Sequence, residues 1–128
     1  MDHGFEILMV GLGGAIGAML RYAISCIPYK GTFPVLTLIT NFTGAVLIGA
    51  IVGLASQKKV SDNTQLFLKT GICGGYTTFS TFSLETFQLF QGSQYLQGIL
   101  YLILSVVGCL AGVWIGTLLT RNGIETEI

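Results

Sequence analysis

The chain has 128 residues, 52% hydrophobic and 9% charged, with a mean hydropathy of +0.75. Soluble domains carry about 25% charged residues, so this composition excludes an ordinary soluble globule and implies an integral membrane protein. A formal net charge of zero excludes the basic footprint of a nucleic-acid binder.

The first predicted span runs from Phe5 to about Ile27. It carries Gly13/Gly17 and Gly14/Ala18, small-xxx-small pairs that let helices approach closely. A signal peptide is not expected: there is no basic leading region, and Arg21 interrupts the approach to Ala23-Ile-Ser-Cys26. Pro28, Lys30, Gly31 and Pro34 mark a loop. The second span runs from Val35 to about Ala55, with Thr37, Thr40, Asn41 and Thr43 near its start and Gly49/Gly53 repeating the close-packing pattern. Asn41-Phe42-Thr43 spells a glycosylation sequon, but inside a span it cannot be glycosylated.

Ser56 to Gln65 is a polar loop, and the third span extends from about Leu66 to Phe90. Within it lies Gly71-Ile-Cys-Gly-Gly-Tyr-Thr-Thr-Phe-Ser-Thr-Phe-Ser-Leu-Glu85. Its three glycines make the first half a poor helix, each costing roughly 1 kcal/mol relative to alanine. A break is therefore expected at this Gly/Thr-rich stretch. Backbone groups freed in mid-membrane are tolerated only where protein, water or an ion satisfies them. Beyond the break, Phe79 and Phe82 share one helix face at i, i+3. The fourth span runs from Tyr95 or Leu96 to about Leu119. Gly108, Gly112 and Gly116 recur along one of its faces, and Tyr101, Ser105 and Gly108 form a stripe. The tail from Arg121 is polar and expected to fray. Cys26, Cys73 and Cys109 have no metal-ligand spacing and read as small packing residues.

The fold class is thus an all-α membrane protein: one domain, residues 1–128, of four transmembrane helices with spans near 5–27, 35–55, 66–90 and 95–119. Four spans place both termini on one side, with Lys58, Lys59, Lys69 and Arg121; Arg21 and Lys30 lie on the other. A bias of four against two is a weak vote for cytoplasmic termini, small enough for insertion both ways. Four short helices enclose too little volume for a private aqueous pore, so a homo-oligomer is expected.

The polar groups within the spans are mostly neutral. An asparagine NH₂ and hydroxyls can donate to an anion, and a phenylalanine ring edge carries partial positive charge. Arg21 and Glu85 are charged residues within the spans, both toward span ends. The break has a second use: carbonyls freed near Gly74 and Thr77 could coordinate a hard cation such as sodium. No enzyme is expected: His3 is the sole histidine, in the leading tail, and no nucleophile–base spacing exists.

Three stretches carry a family resemblance: Gly13-Gly-Ala-Ile-Gly-Ala-Met-Leu-Arg-Tyr22, Asn41-Phe-Thr-Gly44 and Gly74-Gly-Tyr-Thr-Thr-Phe-Ser-Thr-Phe82. Together they resemble the signatures of the bacterial fluoride channels, the CrcB/Fluc family, over essentially the whole chain. The resemblance implies an antiparallel dual-topology homodimer with two fluoride pathways, passively exporting fluoride and so relieving its toxicity. By motif position it implies that Phe79 and Phe82 are the pore-lining aromatic pair, Asn41 the polar pore residue, and Ser80 and Thr81 hydroxyls near the path. It implies Arg21 at the aqueous vestibule, Glu85 near the pathway end, and a structural sodium ion on the Gly74 and Thr77 carbonyls of both subunits. Tyr101 and Ser105 are pore-adjacent on the same reading. The alternative, a small dual-topology proton-coupled multidrug exporter, requires an acid midway along the first span, where this chain has only Glu6 at its edge.

Overall fold

The structure is a computed structural model that describes residues 3–125. Among the described residues the chain is helical, without strands. Helix α1 spans His3–Ser25 and α2 spans Val35–Ser56. A short helix α3 (Asp62–Gln65) leads through a π-helical run, Leu66–Cys73, into α4 (Gly74–Tyr76). After Thr77 and Thr78 the chain resumes as α5 (Phe79–Gln91), followed by α6 (Tyr95–Glu125). Three helices are long and apolar enough to cross a membrane: α1, α2 and the Tyr95–Arg121 portion of α6. The third expected span is not among them, because the break at Thr77–Thr78 divides it. Helix α6 also outruns its expected end at Leu119, and Arg121 lies inside it rather than in a frayed tail. Residues 126–128 lie outside the described residues.

Two parallel helix pairs organise the molecule, each closed by glycines. In the first, α1 lies along the π-helical run and α4. A side chain at Gly13 would meet the Phe67 carbonyl oxygen at 2.7 Å, and one at Gly17 would strike the Ile72 carbonyl and the Tyr76 amide. From the other side, a Cβ on Gly75 would strike the Gly14 backbone. In the second pair, α2 lies along α6. Side chains at Gly49 and Gly116 would collide with the backbones of Val113 and Val46 respectively, and Gly53 faces Thr120. Helices that bury so few large side chains gain their cohesion from close backbone approach, as expected where lipid supplies no hydrophobic drive.

The glycines expected to break the third span therefore do something else. Gly71, Gly74 and Gly75 all sit within helical turns, and Gly71 and Gly75 form the seam with α1. The break falls two residues later, where Thr77 and Thr78 adopt extended backbone (φ −84°, ψ 157° and φ −149°, ψ 117°). Helix propensity is overridden here by packing, which rewards glycine inside a membrane helix. On α6, Gly112 and Gly116 pack against α2, while Gly108 faces open space.

The hairpin α5–α6 joins the pairs. Gly98 of α6 meets the Phe90 ring, and Phe82 and Leu89 pack around the fully buried Tyr101, with Phe33 and Leu38 against them. The opposite faces of α1 and α6 are lined by exposed apolar side chains, among them Leu8, Leu12, Leu96, Ile103, Val107 and Leu110, a surface suited to lipid.

Candidate ion pathway at the helix break

At the break, backbone hydrogen bonding is taken over by side chains. In a continuing helix the Thr78 N–H would donate to the Gly74 carbonyl. Instead it donates to Asn41 Oδ1 at 2.8 Å, while Asn41 Nδ2 donates to the Thr78 carbonyl at 3.1 Å. One asparagine amide on α2 thus pairs with both backbone groups of one residue, as a neighbouring β-strand would. Thr78 in turn caps α5: its Oγ1 accepts from the Thr81 N–H at 3.1 Å. That N–H is the helical donor to the Thr77 carbonyl, so this carbonyl too loses its usual partner. The Cys73 carbonyl, by contrast, accepts from both the Thr77 N–H (3.0 Å) and Thr77 Oγ1 (2.9 Å).

Arg21 contributes from α1. Its Nε donates to the Gly75 carbonyl at 3.1 Å, so the half-buried guanidinium is anchored at the level of the break, against the carbonyl end of α4. Positive charge is favourable at a helix C-terminus. The remaining guanidinium N–H groups stay available to an anion. On the flank, Tyr76 and Thr43 share a hydroxyl–hydroxyl hydrogen bond at 2.9 Å.

Beyond the break the aromatic rings gather. Phe79 and Phe82 lie with ring centroids 5.7 Å apart and planes inclined by 55°. Phe82 meets the Tyr101 ring edge to face at 5.1 Å, and Phe33 meets Tyr101 from the other side at 5.6 Å. Phe82 is buried, whereas Phe79 is 79% exposed. The Tyr101 hydroxyl donates to Glu85 Oε1 at 3.0 Å, giving the carboxylate a fixed partner. Ser105, one turn further along α6, has its Oγ buried without a hydrogen-bond partner among the described residues.

A groove of about 480 Å³ runs along this face, with Asn41, Thr77, Phe79, Phe82, Ser105 and Cys109 in its wall. A second cavity of about 360 Å³ lies at the α2 entrance, bordered by Thr37, Glu85, Gln88 and Gln94. Phe82, Tyr101 and Glu85 link the two.

Nearly every residue singled out in the sequence thus falls in one neighbourhood. Asn41, Gly74, Thr77, Phe79, Phe82 and Ser105 border the groove. Ser80 is exposed beside it, sharing a hydrogen bond with Thr78 at 3.3 Å. Thr81 enters through its backbone amide, and Tyr101 is buried behind Phe82. Arg21, four residues before the end of α1, reaches the Gly75 carbonyl beside the break. The rings of Phe79 and Phe82 are tilted to one another. Sequence reasoning gave Thr78 no role in the site, yet it is the residue that Asn41 holds. A threonine before a helical run is a capping signal, but its pairing with a residue 37 positions away leaves no local trace.

The family model described as CrcB-like protein, Camphor Resistance (CrcB), matches residues 8–117. This chain belongs to the CrcB family. Among its curated relatives is the fluoride-specific ion channel FluC of Ruminiclostridium cellulolyticum, 44% identical over 127 residues, which cover 95% of this chain and 97% of the relative. The FluC of Methanococcus maripaludis is 45% identical over 114 residues, 88% of this chain and 93% of its own. That of Azobacteroides pseudotrichonymphae is 39% identical over 120 residues, 91% and 96%. Membership of the CrcB family agrees with the sequence resemblance. The exporter alternative gains nothing: Glu6, the sole acid of α1, lies near its start beside His3 Nδ1 at 3.2 Å.

Proposed function

We propose that this chain is a fluoride-selective channel of the cell membrane, working as an antiparallel dual-topology homodimer and letting cytoplasmic fluoride leave passively. Fluoride enters from acidic surroundings as membrane-permeant HF and ionises inside, so a leak for the anion lowers its internal level. The observation that carries the reading is the convergence of Asn41, the tilted Phe79–Phe82 pair and the unpartnered Ser105 hydroxyl on one groove, in a chain whose relatives bear the name fluoride-specific ion channel.

The chemistry follows from the ion. Fluoride is small and strongly hydrated, so a path must replace its water with several donors at close range. The second N–H of Asn41 Nδ2 and the Ser105 O–H are such donors, and neutral ones cannot trap the ion as a fixed cation would. Ring edges of Phe79 and Phe82 add partial positive charge in a space too apolar for bulk water. The Arg21 guanidinium, held by Gly75, raises the local anion concentration. Tyr101 spends its proton on Glu85 and so keeps the carboxylate turned from the groove. Ser80 and Thr81 stand beside the same path.

A second copy is supported by what the groove leaves open. The segment from Asp62 to Gln91 acts as the fourth crossing on this reading, with the break near the midplane. Each backbone polar group left unsatisfied there would cost several kcal/mol, roughly. A twofold-related copy applying the same face would cover both grooves with one self-complementary interface. A sodium ion fits the Gly74 and Thr77 carbonyls of both copies: both lack their helical donors, and hard oxygens suit such an ion. Its chemistry there would be to neutralise four carbonyl dipoles meeting at the interface.

The test is fluoride efflux from liposomes holding the purified protein, read with a fluoride electrode, beside matched chloride-loaded liposomes. Rapid fluoride loss with chloride retained is expected. Retention of both ions by a well-folded dimer in sodium buffer would overturn the proposal.

A further inference from the structure

We infer that Asn41 and Thr78 are positioning residues for the cation site: they make the Gly74 and Thr77 carbonyls into ion ligands by taking away the amides that would otherwise occupy them. The inference rests on the proposed sodium site and adds what prepares it.

The geometry behind it is a pair of substitutions of one hydrogen-bond partner for another. The Thr78 N–H belongs by helical register to the Gly74 carbonyl and is drawn off by Asn41 Oδ1 at 2.8 Å. The Thr81 N–H belongs by the same register to the Thr77 carbonyl and is drawn off by Thr78 Oγ1 at 3.1 Å. Each diversion vacates the carbonyl that this chain would present to the ion. A carbonyl closed on its helical N–H has a positive hydrogen where a cation would sit, and it points along the helix axis. The two diversions are coupled, because the Asn41 Nδ2 bond to the Thr78 carbonyl at 3.1 Å fixes the extended backbone that lets Thr78 Oγ1 reach Thr81. Thr77 completes the arrangement by directing its own N–H and hydroxyl to Cys73, away from the open carbonyls. Asn41 therefore has two tasks: its amide holds the break on one side and offers its remaining N–H to the groove on the other.

The consequence is specific. Thr78→Val keeps the shape of the side chain but returns the Thr81 N–H to the Thr77 carbonyl. Asn41→Leu keeps approximate volume but returns the Thr78 N–H to Gly74. Either change lowers sodium affinity without touching a ligand atom, whereas Thr78→Ser retains the capping oxygen and preserves it.

The experiment is equilibrium dialysis of purified protein against radioactive sodium at constant ionic strength, with potassium as the balancing cation. Dimer integrity is followed by size-exclusion chromatography. Saturable sodium binding is expected for the wild type and for Thr78→Ser, and about ten-fold or weaker binding for Thr78→Val and Asn41→Leu, the effect typical of losing a group that orients metal ligands. Should Asn41→Leu not yield a folded dimer, Thr78→Val against Thr78→Ser decides alone. Wild-type affinity in the folded variants would overturn the inference while leaving the sodium site standing. Absence of saturable binding in the wild type would overturn the sodium site itself, and the inference with it.

Discussion

Phe79 and Phe82 are neighbours with different burdens. Phe82 is 7% exposed and locked against Tyr101, while Phe79 is 79% exposed on the groove. Phe79→Ile is expected to impair fluoride efflux with little change in thermal stability, since the side chain has few partners to lose within the chain. Phe82→Ile is expected to impair efflux and also to destabilise the fold by about 1–3 kcal/mol, because it leaves a gap beside a buried tyrosine. Electrode-monitored efflux and melting in detergent separate the two effects, and wild-type flux in both variants would remove the aromatic pair from the mechanism. Asn41→Asp keeps the acceptor for the Thr78 N–H but loses the donor to the Thr78 carbonyl and sets negative charge on an anion path. Its flux should fall, and unchanged permeation would place Asn41 outside the pathway. The adjacency of the two phenylalanines was legible from their i, i+3 spacing. The Asn41–Thr78 pairing was not, because a polar residue in a span advertises the need for a partner without naming it.

At the scale of the helices, glycine had two possible meanings and the sequence did not choose between them. The pairs Gly13/Gly17 and Gly49/Gly53 read correctly as seams, because small residues four apart lie on one helix face. Gly71, Gly74 and Gly75 read as a break on propensity, yet Gly71 and Gly75 are the other half of the α1 seam. Propensity is a local prior, and the place where the helix opens is set instead by the side chains of Asn41 and Thr78. Along α6 the distinction is measurable. A methyl group on Gly116 would drive into the Val46 carbonyl and the Ala50 amide, whereas one on Gly108 meets nothing within 4 Å. Gly116→Ala should therefore destabilise by about 1–3 kcal/mol through forced separation of α2 and α6. Gly108→Ala should be neutral in intrachain packing, and any effect it has should appear only in dimer assembly. Thermal melting of both variants, with dimer content followed by chromatography, checks the contrast.

For the whole molecule, hydropathy sufficed to read an all-α membrane fold, since apolar runs of span length admit few other structures. The arrangement of two copies leaves no comparable mark in one chain, because an interface between identical faces adds no new residue type. What the sequence does carry is an orientation bias of four basic residues against two, and the proposed antiparallel dimer requires both insertions to occur. Cys26 offers a reporter. It lies exposed just past α1, at the end opposite the termini, whereas Cys73 is buried and Cys109 half-buried in the groove wall. With Cys73 and Cys109 replaced by serine, a membrane-impermeant maleimide applied to intact cells should label roughly half of Cys26, the share expected when both orientations are equally populated. The remainder should react after permeabilisation. Lys30→Gln leaves one basic residue against four on the two sides, and should push the labelled share away from one half while fluoride efflux from those cells falls for want of antiparallel partners. Labelling that is complete or absent in the protein that keeps Lys30 would establish a single orientation and remove the dual-topology dimer, whatever the ion selectivity of the chain.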